Sequence, residues 1–154
     1  MRRLELIVTI VIFAGGLAAA QDGGPVKPVN TDQAGLALHG YDAVAYIAER
    51  KAAEGKPAFE YAWNGATWRF TSTANRERFA ARPEAYAPQF GGYCAWAVSR
   101  NYTADVDPEA FDVVNGKLYL NYSKLVQLRW KMDRAGNIAR GEQNWPKLTT
   151  KGTK

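Results

Sequence analysis

Two Asn-Gly dipeptides, Asn64-Gly65 and Asn115-Gly116, restrict the fold of this chain more than any other feature. A two-residue hairpin turn needs positive φ at both central positions, and Asn-Gly adopts that geometry at low cost. The first dipeptide joins FEYAW to ATWRF and the second joins FDVV to KLYLNY, all stretches that alternate like strands. Centring the first turn on Asn64-Gly65 pairs Trp63 with Ala66, Tyr61 with Trp68 and Phe59 with Phe70 on one face. Glu60 then meets Arg69 on the other. An aromatic face of this kind is expected to be core rather than a ligand site.

Helix signals fall between and after the hairpins. Ser72 or Thr73 caps a helix through ANRERFAA, which stops near Arg82 because Pro83 lacks an amide hydrogen. Ser123 caps an amphipathic helix in which Leu125, Leu128 and Met132 share a face, and Gly136 supplies a stop. Hairpins alternating with short helices predict an α+β domain: a small, mostly antiparallel sheet built from the two Asn-Gly hairpins with short packed helices.

The chain opens MRRLE, continues LIVTIVIFAGGLAA and reaches Ala18-Ala19-Ala20, the basic, apolar and small-residue order of a secretory signal. Residues 1–20 are therefore expected to be a cleaved signal peptide, with the protein periplasmic or secreted and no stable membrane anchor after cleavage. Residues 21–35, rich in Gly and Pro, read as a flexible lead, 36–148 as the domain and 149–154 as a disordered tail. The formal net charge is +5, and Lys117 to Lys154 carries nine basic side chains against only Asp133 and Glu142. No nucleic-acid motif accompanies that excess, so it reads as a solvated helix face and no nucleic-acid partner is expected.

Cys94, in FGGYCAWAVS, is the only cysteine. It has no partner for a disulfide within the chain and lies in no haem-attachment motif. It is thus a buried thiol, a metal ligand, a reactive nucleophile or a bridge to another molecule. Gly91-Gly92 permits a tight turn, and if AWAVS is a helix its N-terminal end lowers the thiol pKa; a strand there removes that effect. The only histidine, His39, lies in LALHGYDAV. If folding brings it to Cys94, two chemistries follow. A soft metal ion, copper foremost, takes thiolate and imidazole, with Met132 as a third soft donor. Alternatively, Cys94 acts as a nucleophile toward a small-molecule oxidant, with His39 as base, Asp42 orienting the imidazole and Arg100 stabilising the thiolate. With one thiol, turnover must pass through a sulfenic acid or a mixed disulfide resolved from outside. The third reading is a non-catalytic binding module with a core thiol and a protein partner that the sequence does not name. No enzyme class is warranted.

The segments GYDAVAY, YAWNGATWRFTS, NRERFAARPEAYAPQFGGYCA, DPEAFDVVNGKLYLNY and NWPKL together resemble the exported bacterial YHS-domain proteins, including the type labelled YHS-domain (seleno)protein. The resemblance runs from about Leu36 to Leu148. It implies a chemically active chalcogen at Cys94, because some relatives are described with selenocysteine there. The wider YHS group implies metal binding through a cysteine pattern like DPVCGM … YYFCS..C. Laid on that pattern, this chain keeps Asp42-Ala43-Val44 but has Ala45, Thr71 and Asn75 at the cysteine positions, so the metal-thiolate set of the wider group is absent. The leading expectation is a periplasmic YHS-like protein binding copper through Cys94 and His39, ahead of the thiol enzyme and the passive module.

Overall fold

The structure, a computed structural model, describes residues 25–150. The expected signal peptide lies outside them, as do the first residues of the lead and residues 151–154. The described chain is α+β, with helices α1 (Ala43–Glu49), α2 (Thr73–Ala81), α3 (Pro83–Tyr86), α4 (Ala95–Val98), α5 (Lys124–Met132) and α6 (Arg134–Thr150). Strands β1 (Lys56–Trp63) and β2 (Ala66–Phe70) form one antiparallel hairpin, and β3 (Asp107–Val114) and β4 (Lys117–Asn121) form the other. Both turns use Asn-Gly at positive φ, 51° and 76° in the first, 51° and 74° in the second. The hairpins stay separate two-stranded sheets.

Register in the first hairpin follows the turn as far as Trp63–Ala66, Tyr61–Trp68 and Glu60–Arg69, where Arg69 Nε donates to Glu60 Oε1 at 2.9 Å. The expected pairing of Phe59 with Phe70 does not form. An irregularity between Lys56 and Glu60 slides Lys56 opposite Phe70, since residues 57–59 have no counterpart on β2 and break the alternation that the turn imposed.

Caps set the helix ends. Asp42 Oδ1 accepts from the amides of Val44 and Ala45, Ser72 Oγ from Asn75, and Ser123 Oγ from Val126. α2 stops at Arg82, and Pro83 begins α3 at the one place where its missing N–H is harmless. Gly136 does not stop a helix. The break comes at Asp133, whose carboxylate accepts from the Gly136 amide at 3.1 Å and so caps α6, which continues to Thr150, two residues into the expected tail.

Two apolar clusters hold these elements. The larger packs α1 and the first hairpin around Trp68, Phe70 and Phe79, with Trp68 and Phe79 ring centroids 4.8 Å apart. The smaller gathers Phe90, Val98, Tyr119, Trp130 and Leu148. β4 lies between them: alternate side chains point to opposite faces, so Leu118 and Leu120 enter the first cluster and Tyr119 the second. The lead is also drawn in. Val29 is buried, and the Asn30 amide donates to Gly91 O at 2.8 Å, so packing begins ahead of Leu36.

α5 corrects the expectation for its apolar stripe. Leu125, Leu128 and Met132 do share a face, but it is the solvent face, with exposures of 59%, 61% and 87%. The inward side carries Val126, Gln127 and Trp130. Gln127 Nε2 donates to Phe111 O at 2.6 Å and to Asp112 Oδ2 at 3.0 Å, which lets an amide sit where a leucine was expected.

Candidate functional site

Cys94 is reached through a turn over Gln89–Gly92 in which Phe90, Gly91 and Gly92 all have positive φ. The turn leaves Cys94 as the residue capping α4, so AWAVS is helical, with only four residues in the helix. The side chain points inward. Sγ accepts from the Tyr122 amide at 3.3 Å, and the thiol donates to Asn121 Oδ1 at 3.7 Å; that oxygen also accepts from the Trp96 amide at 3.1 Å. Cys94 is 1% exposed. Burial pushes its pKa up, and the opposing backbone amides of Ala97, Tyr122 and Trp96 do not offset it. The lowering expected from a helix start is outweighed by desolvation, so the sulfur is a neutral thiol at neutral pH.

Above the sulfur lies a hollow of about 320 Å³ bordered by Trp96, Tyr102, Ala104, Tyr122 and Arg129 as well as Cys94. Asn121, itself fully buried, keeps its Nδ2 without a hydrogen-bond partner among the described residues.

His39 makes its contact elsewhere. It sits in a left-handed backbone position (φ 51°), and its Nε2 lies 2.8 Å from Asp105 Oδ1. Asp105 also accepts from Asn30 Nδ2 at 2.9 Å and from the Val106 amide at 2.8 Å. Burial tends to raise the Asp105 pKa, but these hydrogen bonds and His39 bring it below the ordinary carboxylate range. No hydrogen bond links His39 to Cys94; Asp105 was the unread partner.

The remaining candidates disperse. Met132 stands in solvent on α5, away from the buried sulfur. Arg100 lies over the Trp96 ring, its guanidinium carbon 3.2 Å from the centroid, and donates to Ser99 Oγ at 2.9 Å rather than to the thiol. Asp42 does not orient His39. It is fully buried, and beyond its cap its Oδ2 accepts from the Thr71 amide, Thr71 Oγ1 and Asn75 Nδ2 at 2.8 to 2.9 Å. Ala45, Thr71 and Asn75, the positions compared with the cysteines of the wider YHS pattern, thus all bond one carboxylate, and oxygen and amide groups fill the spot. Among the described residues no group of three or more His, Cys, Asp or Glu is placed to hold a metal ion.

Asn121 escaped the sequence reading because a polar residue closing the apolar run KLYLNY looks like an ordinary strand end. Its placement two residues before the Ser123 cap was the available signal: the chain must turn there, and a buried turn needs its amides paired. Compared with protein-family models, curated proteins and solved structures, the chain finds no match.

Proposed function

We propose that this chain is an exported, non-catalytic binding module of YHS-like type, in which Cys94 belongs to the core and α5 presents the docking face. The observation that carries this reading is the buried thiol: 1% exposed, hydrogen-bonded on two sides and raised in pKa. The export part rests on the signal-like N-terminal sequence, and the YHS part on the quoted motifs and on the gathering of Ala45, Thr71 and Asn75 around Asp42.

Among the described residues, Leu125, Leu128 and Met132 join Tyr102 and Tyr122, which are 50% and 60% exposed, as the large apolar side chains left in solvent. The three on α5 lie on one helix face, and a contiguous apolar patch of that kind marks an interaction surface. Arg129 stands exposed on the same helix and joins no ion pair among the described residues, so the partner is a protein that offers apolar side chains with a carboxylate at their rim.

The sulfur part is tested by alkylation of the folded full chain at neutral pH, with copper titration beside Cys94→Ala. Labelling that requires denaturant and equal copper binding by both proteins are expected. Rapid native labelling, or copper binding lost with the sulfur, overturns the reading. For the docking face, a photo-cross-linking residue at position 128 is expected to give a discrete adduct in the cell that disappears when Leu125 and Met132 become Glu. No adduct, or an equal one from exposed position Glu77, removes the face.

One observation favours the thiol-enzyme reading: the hollow ends on Cys94 and has Arg129 at its border. There the thiol would give up its proton and attack a peroxide oxygen; the O–O bond breaks, the leaving hydroxide or alkoxide takes up that proton, and a sulfenic acid plus water or an alcohol results. A trappable sulfenic acid in the folded protein would establish this second reading.

A further inference from the structure

Beside Gly91 lies a groove of about 380 Å³, the size of a small-ligand site. Its walls come from the first hairpin turn, the segment around Gln89, the Pro28–Val29 stretch and α6. Three indoles line it: Trp68 is buried at its floor, and Trp63 and Trp145 keep open ring surface. Trp63 is held by Phe79, edge to face with centroids 5.7 Å apart, and Trp145 by Tyr93 at 5.8 Å. Both are partly buried, so ring surface is fixed in place and still open.

The charge of the groove runs against that of the chain. Glu84 and Glu142 line it, and no Lys, Arg or His does, although the whole sequence carries +5. Neither carboxylate joins an ion pair among the described residues. Asn64 and Gln89 add amide groups. Indole faces attract cations through their quadrupole, and a carboxylate at the same site supplies the counter-charge. Anions are disfavoured by the same groups, and a neutral ligand leaves both carboxylates uncompensated.

We propose that this groove binds a small organic ammonium ion, free or as the end of a basic side chain. The site is separate from α5 and stands whether or not the docking face does. Fixed indoles reduce the ordering that binding requires, and the exposed carboxylates select for charge.

The full chain is titrated calorimetrically with choline chloride and with n-butylammonium chloride. 3,3-Dimethyl-1-butanol, a neutral isostere of choline, and glucose serve as comparisons. Saturable binding of at least one cation is expected, with the isostere at least tenfold weaker and the indole N–H resonances of Trp63 and Trp145 shifted in an NMR titration. Glu84→Gln with Glu142→Gln, both at exposed positions, should weaken cation binding about tenfold without changing the melting temperature. Failure of both cations to saturate, equal or tighter binding of the isostere or glucose, or an unchanged affinity in the double variant overturns the proposal.

Discussion

Asp42 concentrates more of the structure than any other single side chain. One buried carboxylate accepts five hydrogen bonds, starts α1 and ties it to the chain just after β2 and to α2. Removing it strands buried donors, each costing about 1–3 kcal/mol when left unpaired. Asp42→Ala is expected to lower unfolding free energy by more than about 3 kcal/mol, measured by urea denaturation. Asp105 gives a pH signature instead. Its folded pKa lies below the ordinary value of about 3.9, so its stabilisation is present above that pH and is lost as pH falls through the folded value. Asp105→Asn should flatten the acid limb of the stability curve as pH falls below the ordinary carboxylate value, relative to the native chain. At this scale the sequence was legible for caps such as Ser72 and Ser123, which act over three residues. It was silent on Asp105 with His39 and on Asn121 with Cys94, because those pairs close over long separations.

Elements were readable where the rule is local. Asn-Gly determines a hairpin and Pro83 a helix boundary, and both stand in the structure. The orientation of α5 was not readable: periodicity grouped Leu125, Leu128 and Met132 correctly, but only the neighbours decide which stripe turns inward. Trp130, larger than any of them, took the core, and Gln127 followed because Phe111 and Asp112 could pair it. Replacing Leu125, Leu128 and Met132 together by Ser should therefore change stability by less than about 1.5 kcal/mol, whereas a packed face would lose about 2–5 kcal/mol per residue. Thermal and urea unfolding of the triple variant distinguish the two.

Across the whole molecule, β4 is the common wall of both apolar clusters, buried on its two faces. Native-state hydrogen exchange should find the amides of Leu118, Tyr119 and Leu120 among the slowest, opening only with global unfolding, while those of α5 open earlier. Loss of protection in β4 at denaturant concentrations that leave α2 closed would separate the clusters into independent units.

Cys94 is fixed by distant parts of the chain: its amide donates to Ala104 O, its backbone bridges to Leu120, and its sulfur meets Asn121 and the Tyr122 amide. If the chain is exported as proposed, a newly delivered molecule carries a bare thiol until β4 docks. Speed of folding then limits how often one copy forms a disulfide with its neighbour.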